Sequence, residues 1–115
     1  MARLLFDTDV LIDHLRAKQV IPDHHDGAYS SITRAELYSY KDVDEAVIDR
    51  LLSVLDELPV SRSVAEEAGR IRRTVRIKLP DAIIAATAIL SKRRLMSRNV
   101  RDFGEVPRLQ LYQIT

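Results

Sequence analysis

Short, continuous apolar runs alternate with segments of helical periodicity along this sequence, and that alternation restricts its fold more than any other feature. The runs are LLF (residues 4–6), GAYSSI (27–32), LPV (58–60), RLMS (94–97) and LQLYQI (109–114). Continuous apolar runs of this length predict buried strands. Helical segments between them suit crossovers between parallel strands. The alternation therefore predicts an α/β fold, with a small parallel sheet covered by helices.

Five of the intervening segments have the spacing of a helix. They are residues 10–17, 33–40 with Thr33 as the N-cap, 44–58, 63–75 and 80–92. The last of these is apolar almost all round, which predicts a helix buried against the sheet. Residues 98–108, RNVRDFGEVPR, are predicted to form a loop before the final strand.

Length and composition predict one ordinary globular domain spanning residues 1–115. The chain is 46% hydrophobic and 30% charged, and no repeat is present. It has no cysteine, which excludes disulfides, thiolate metal sites and cysteine nucleophiles. No apolar stretch approaches the roughly 18 residues that span a bilayer. We therefore expect a cytoplasmic protein without a membrane association.

Charge is distributed unevenly, although the formal net charge is only +1. Residues 1–60 carry twice as many acidic as basic side chains, whereas residues 61–101 carry 11 basic and 3 acidic ones. A basic segment is a possible footprint for a polyanion such as a nucleic acid. Solvated helix faces would give the same pattern, so the charge by itself leaves both interpretations open.

Several acids lie where a predicted strand ends or a predicted helix begins. They are Asp7, Asp9, Glu36, Asp81 and Asp102. In parallel sheets ligands bind beyond the carboxyl ends of the strands, so we expect these acids to share one edge. Local explanations compete with this one. Glu36 completes a capping box with Thr33, Asp81 suits a helix N-terminus, and Asp102 fits an ordinary loop acid.

Carboxylates that converge without cysteine point to a hard divalent cation. Oxygen ligands suit Mg²⁺ and Mn²⁺, and Mg²⁺ is typically bound by one or two carboxylates together with waters and substrate phosphates. A polyanionic substrate would need such an ion beside the acids. Metal-assisted hydrolysis of a phosphodiester meets both conditions.

Four segments, in this order, resemble the successive motifs of the PIN-domain ribonucleases, and most closely the VapC-type toxins of toxin–antitoxin pairs. They are LLFDTDVLID, SSITRAEL, LPDAIIAATAIL and LMSRNVRDF. The resemblance implies a PIN-like three-layer α/β/α fold with a small, mostly parallel sheet flanked by helices. It also implies an endoribonuclease that depends on Mg²⁺ or Mn²⁺.

The resemblance implies particular roles for the acids. Asp7 and Asp81 would hold the metal ion, and Glu36 would complete the catalytic pocket. The fourth acidic position falls either on Asn99 or on Asp102, and Asp102 is favoured as the catalytic acid. The remaining site residues would be three supporting polar groups and two arginines for substrate phosphates: Asp9, Ser97 and Asn99, with Arg98 and Arg101. Ser97 stands where the family usually has threonine and keeps the hydroxyl.

The same resemblance implies the partners of the chain. A cognate antitoxin would inhibit it by inserting a basic side chain or a helix near the acids. RNA would be the substrate, and the chain would form a homodimer. A free-standing RNA-processing nuclease is a variant of this interpretation.

Two other interpretations compete with the nuclease. FDTDVL also resembles the opening motif of the haloacid-dehalogenase phosphohydrolases, with Asp7 as nucleophile and Asp9 as general acid and base. That class needs a later motif with two acids. At that place this chain has only Asp81, which is followed by AIIAATA. The second alternative is a catalytically silent PIN-like domain that binds RNA or protein. Metal-dependent cleavage discriminates it from the enzyme.

Overall fold

The computed structural model describes residues 3–17, 21 and 26–113. In this part of the chain, short strands alternate with helices as the sequence predicts. The strands are β1 (Leu4–Phe6), β2 (Ala28–Ser30), β3 (Asp56–Leu58) and β4 (Arg94–Met96). The helices are α1 (Thr8–Leu15), α2 (Ser31–Tyr38), α3 (Glu45–Leu52), α4 (Arg62–Thr74), α5 (Leu79–Ser91) and α6 (Val100–Phe103).

All four strands run parallel in one sheet, in the order β3-β2-β1-β4. The centre of the sheet is β1, where Leu5 pairs with Ala28 on one side and with Leu95 on the other. A single bridge between Leu95 and Leu111 continues the sheet beyond β4. Because the strands are parallel, their carboxyl ends all reach the same edge.

Alternation along β1 divides the core into two layers. Leu4 and Phe6 pack with buried residues of α1, α2 and α3, such as Leu37. Leu5 points to the other face and packs with α4 and α5, where Ala85 is fully buried. Helices therefore cover both faces of the sheet, which confirms the predicted three-layer α/β/α fold.

The predicted helix over residues 44–58 is wrong in its second half. Helix α3 ends at Leu52, and residues 56–58 form β3 instead. Pairing with β2 accounts for the difference, since Tyr29 lies opposite Glu57 and Ser30 opposite Leu58. Tertiary contacts override helical periodicity in such short segments.

The N-cap predicted for the second helix is also wrong. Ser30, the last residue of β2, accepts a hydrogen bond from the backbone N–H of Ile32 and begins α2. Thr33 is buried one turn inside that helix. Consequently, Thr33 and Glu36 do not form a capping box.

The chain after β4 is more ordered than the predicted loop. Asn99 caps the short helix α6, and the fully buried Phe103 anchors that helix to the core. Gly104 ends it, at a position where a Cβ would lie 2.8 Å from the carbonyl oxygen of Val100. Among residues 109–113, where a strand was expected, only the bridge at Leu111 forms. Ile114 lies outside the described residues.

None of the helices in the described part of the chain is long and apolar enough to cross a membrane.

We expect Phe103→Ala to lower the free energy of unfolding by about 3–5 kcal/mol, because it empties the site of a fully buried ring. Val100→Ala, in the same helix but 54% exposed, is the matched control and should change it by less than about 0.5 kcal/mol. Urea denaturation measures both. Equal effects from the two substitutions would show that α6 is not anchored through Phe103.

Candidate active site

The carboxyl edge of the sheet opens into a cleft of about 230 Å³ that contains most of the predicted site residues. Four acids and one amide line it: Asp7, Asp9, Glu36, Asp81 and Asn99. They come from the end of β1, from α1, α2 and α5, and from the loop after β4. The fold therefore brings together residues that lie up to 92 positions apart in the sequence.

Asp7 is held in place through both carboxylate oxygens. It is the N-cap of α1, and its Oδ1 accepts a hydrogen bond of 2.8 Å from the backbone N–H of Thr8. Its Oδ2 accepts one of 2.7 Å from the hydroxyl of Ser97. The side chain is only 5% exposed, so the carboxylate is fixed in the floor of the cleft.

Glu36 is connected to α1 through the hydroxyl of Thr8. Thr8 Oγ1 lies 2.5 Å from Glu36 Oε1 and 3.0 Å from Thr33 Oγ1. The hydroxyl carries one proton, so it donates to the carboxylate and accepts from Thr33. This chain of hydroxyls fixes the orientation of Glu36 and explains why Thr33 is buried.

Asp9 lies on the other side of the cleft, against Arg98. Its Oδ2 accepts a hydrogen bond of 3.1 Å from the backbone N–H of Arg98, and the guanidinium Nε of Arg98 is 3.8 Å away. The same Nε makes a closer ion pair of 2.8 Å with Asp13, which is 8% exposed. Asp9 Oδ1 is buried and has no hydrogen-bond partner among the residues that the structure describes.

Asp102 is exposed and does not line the cleft. It accepts a hydrogen bond of 3.1 Å from the side-chain amide of Asn99, and its own backbone N–H donates to Asn99 Oδ1. Its negative charge nevertheless reaches the cleft, where it raises the pKa of Asp81. Of the two candidates for the fourth acidic position, Asn99 faces the site and Asp102 lies behind it.

The pKa values of three of the acids are raised, chiefly by burial. Desolvation raises the pKa of Asp7 to about 7, and the negative charges of Asp9 and Asp81 act in the same direction. Burial also raises the pKa of Asp9 and of Asp81, and for Asp81 the next cause is the charge of Glu36. Burial is the largest cause of each shift, and the charges of neighbouring carboxylates add to it for Asp7 and Asp81.

The donor set of the cleft fits a hard divalent cation. All the candidate ligands are oxygens. Among the described residues Asp9 Oδ1 has no hydrogen-bond partner, and the charge of Asp9 raises the pKa of Asp7 further after burial. Within the described residues, no three acid or histidine side chains already lie at metal-ligand spacing. Mg²⁺ does not require such a group, because it keeps several waters and takes one or two carboxylates from a protein.

The residues that hold the site side chains in place were not predicted from the sequence. The sequence predicted no role in the site for Thr8 or Asp13 and predicted only an N-cap role for Thr33. In the structure Thr8 and Thr33 orient Glu36, and Asp13 holds Arg98. Thr8 stands between Asp7 and Asp9, and Asp13 follows Asp9 by one helical turn. The i, i+4 spacing that places Asp9 and Asp13 on one face of α1 was the available signal.

Comparison with known proteins is consistent with this geometry. The family model of the PIN domain matches residues 4–109. Ribonuclease VapC19 of Mycobacterium tuberculosis is 31% identical over 120 residues, which covers 92% of this chain and 96% of that protein.

Solved structures give the same result. A chain of a toxin–antitoxin complex from Klebsiella pneumoniae superposes with a TM-score of 0.77 at 34% identity, over 96% of this chain and 99% of that one. A chain of the DNA-bound VapBC from Salmonella typhimurium has a TM-score of 0.82 at 22% identity, over 97% and 98%, which shows the shared fold alone.

The resemblance found in the sequence is therefore confirmed, and the haloacid-dehalogenase interpretation of Asp7 and Asp9 has no support. The family model covers nearly the whole described chain, and the curated relative covers most of it as well. This protein belongs to the PIN-domain family.

Proposed function

We propose that this protein is an endoribonuclease that depends on Mg²⁺ or Mn²⁺ and acts as the toxin of a toxin–antitoxin pair. The observation that carries the proposal is the cleft itself, in which four carboxylates from three helices and the end of β1 lie together. The pKa values of Asp7, Asp9 and Asp81 are raised there. An acidic cleft repels a phosphodiester unless a cation is also bound. The ribonuclease name of the relative from M. tuberculosis supports RNA as the substrate.

The acids of the cleft take separate roles in this proposal. Asp7 and Asp81 hold the ion, directly or through water, and the bonds from Thr8 and Ser97 keep Asp7 in one orientation. A divalent cation bound there lowers the pKa of a coordinated water and stabilises the charge that develops on the phosphate oxygens.

The remaining residues orient the reactants. Glu36 accepts the bond from Thr8 through Oε1, which leaves Oε2 to take a proton from the attacking water. Asp9 adds negative charge beside Asp7, and Asn99 connects the cleft to Asp102. Arg98 lines the cleft and Arg101 is exposed on α6, and both are candidates for substrate phosphates. The guanidinium of Arg98 is already held by Asp13.

The partners follow from the same relatives. We infer that a cognate antitoxin binds this chain, since the similar chain from K. pneumoniae was solved in a toxin–antitoxin complex. A basic side chain of the antitoxin placed among the acids would neutralise the cleft and block the metal. We also infer a homodimer, as the family resemblance implies.

A catalytically silent PIN-like domain is the competing function. It would bind RNA or protein through the same surface without cleaving. The filled acidic positions favour an enzyme, and cleavage of RNA by the purified protein in Mg²⁺ or Mn²⁺, abolished by EDTA, separates the two.

We expect Asp81→Asn to lower metal-dependent cleavage of RNA by at least about a hundredfold, the usual effect of removing one electrostatic stabiliser from a transition state. Glu105→Gln, which removes an exposed charge near α6, is the matched control and should leave cleavage unchanged. A gel assay with a panel of structured RNAs measures both. Full activity of Asp81→Asn would remove Asp81 from the metal site.

Thr8→Val should reduce cleavage by roughly 10- to 100-fold, the range found for groups that orient a metal-site ligand. The reason is that valine fills the space but cannot donate to Glu36. Thr8→Ser keeps the donor and should retain most of the activity. If the serine variant were as impaired as the valine variant, packing rather than the hydrogen bond would be the role of Thr8.

The raised pKa of Asp7 predicts a pH-dependent stability of the protein in EDTA. The folded state favours the protonated carboxyl, with a pKa of about 7 against 3.8 for the ordinary group. Stability from this group is therefore complete below about pH 4 and is lost as the pH rises through about 7.

Asp7→Asn cannot ionise at that position, so it should be more stable than the unsubstituted protein at pH 8, by a difference on the order of a few kcal/mol. That advantage should shrink as the pH is lowered from about 7 towards about 4. Urea denaturation across this range measures it. An Asp7→Asn protein that is less stable at pH 8 would show that the bonds to Thr8 and Ser97 outweigh the repulsion.

A further inference from the structure

The last residues of α4 and the segment that connects it to α5 form a concave, cationic surface outside the acidic cleft. We call residues 72–78 the basic loop. It carries four cations, Arg72, Arg73, Arg76 and Lys78, and all four are exposed. Residues 72–77 line a cavity of about 370 Å³. The loop is therefore large enough and charged enough to receive an anionic group.

Most other arginines of the basic segment are already engaged. Arg70 pairs with Glu67 at 3.3 Å, Arg98 pairs with Asp13 at 2.8 Å, and the buried Arg93 donates to backbone carbonyls. By contrast, within the described residues Arg73 and Arg76 have no carboxylate partner. Their charges remain available to a ligand.

The basic loop is held in a defined shape. The guanidinium Nε of Arg72 donates a hydrogen bond of 3.0 Å to the carbonyl oxygen of Ile77, which closes the loop on itself. The buried side chain of Ile77 ties it to the core formed by α4 and α5. The cationic groups are thus presented by a fixed backbone, which reduces the entropy lost when a ligand binds.

The basic loop leads directly into the acidic cleft. Lys78 is the residue before α5, and Asp81 lies in the first turn of that helix. The positive charge of Lys78 reaches Asp81 and lowers its pKa against the larger effect of burial. Even a fully extended chain from Arg76 to Asp81 spans no more than about 18 Å, a few nucleotides of single strand.

We propose that the basic loop binds backbone phosphates of the RNA strand next to the bond that is cut. This inference rests on the proposed ribonuclease activity. A strand whose scissile phosphate lies at Asp81 must continue away from the acids, which repel it, and the basic loop is the adjacent surface of opposite sign. An acidic protein segment would also be attracted to the loop, but it would not have to pass through the cleft.

The test compares two triple variants that remove the same net charge. In the first, Arg72, Arg73 and Arg76 of the basic loop are replaced by glutamine. In the control, three exposed cations elsewhere, Lys41, Arg50 and Arg62, are replaced by glutamine. Affinity for a short fluorescent single-stranded RNA is measured by anisotropy in EDTA, where no cleavage occurs, and over a range of salt concentrations. Cleavage kinetics in Mg²⁺ are measured in parallel.

We expect the basic-loop variant to bind RNA at least about tenfold more weakly. The slope of log affinity against log salt concentration should fall in magnitude by about two, since each phosphate contact with a single strand contributes roughly 0.7 to it. In cleavage, KM should rise while kcat is kept, because the acids are untouched. The control variant should differ little from the unsubstituted protein. A double variant, Arg73→Gln with Arg76→Gln, keeps the hydrogen bond from Arg72 to Ile77. Weaker RNA binding by this variant as well would show that the loss of charge, and not a change in the loop structure, is the cause.

Each other outcome overturns the inference. Equal RNA affinity of the two triple variants would show that the basic loop does not contact RNA. If the unsubstituted protein still cleaved RNA, the proposed function would be unaffected by that result. Affinity for fluorescent poly-glutamate is measured in the same anisotropy assay. If the basic-loop variant lost that affinity but kept its affinity for RNA, the loop would be assigned to an acidic protein partner. If the unsubstituted protein neither binds nor cleaves RNA, the proposed function fails as well.

Discussion

The parallel pairing of β1 with β2 on one side and β4 on the other is the constraint on which both the core and the cleft depend. It buries β1 on both faces, so that Leu4 and Phe6 reach one helical layer and Leu5 the other. It also fixes where the chain leaves the sheet. The backbone N–H of Asp7 still donates to Met96 at 2.9 Å, so the first acid starts from a rigid position beside the loop that carries Ser97.

The acidic cleft costs folding free energy, because it buries carboxylates close to one another. Asp7 is 5% exposed, and burial together with the negative charges of Asp9 and Asp81 raises its pKa to about 7. Hydroxyl and backbone donors from Ser97 and Thr8 offset part of that cost without neutralising the charge. Under the proposed function, a divalent cation bound among the carboxylates would offset the rest of that cost.

Charge is separated across the molecule in a way that serves a polyanionic substrate. The acids lie inside a cleft and would face the metal, whereas the cations of the basic loop lie outside it, on the surface beside α5. Arg98 belongs to neither group, because Asp13 holds its guanidinium beside Asp9. Arg98 is thus held by a carboxylate, whereas Arg73 and Arg76 have no carboxylate partner among the described residues.

The sequence by itself determined the alternation of strands and helices, the parallel sheet and the candidate acids, because these depend on local periodicity and on the rule that ligands meet the carboxyl ends of parallel strands. The tertiary structure alone decided the rest. Residues 56–58 form a strand because they pair with β2. Thr33 forms a hydrogen bond with Thr8 because α1 and α2 pack together. It also placed Asn99 in the cleft and Asp102 behind it, since the buried Phe103 sets the path of α6, and no spacing in the sequence encodes that path.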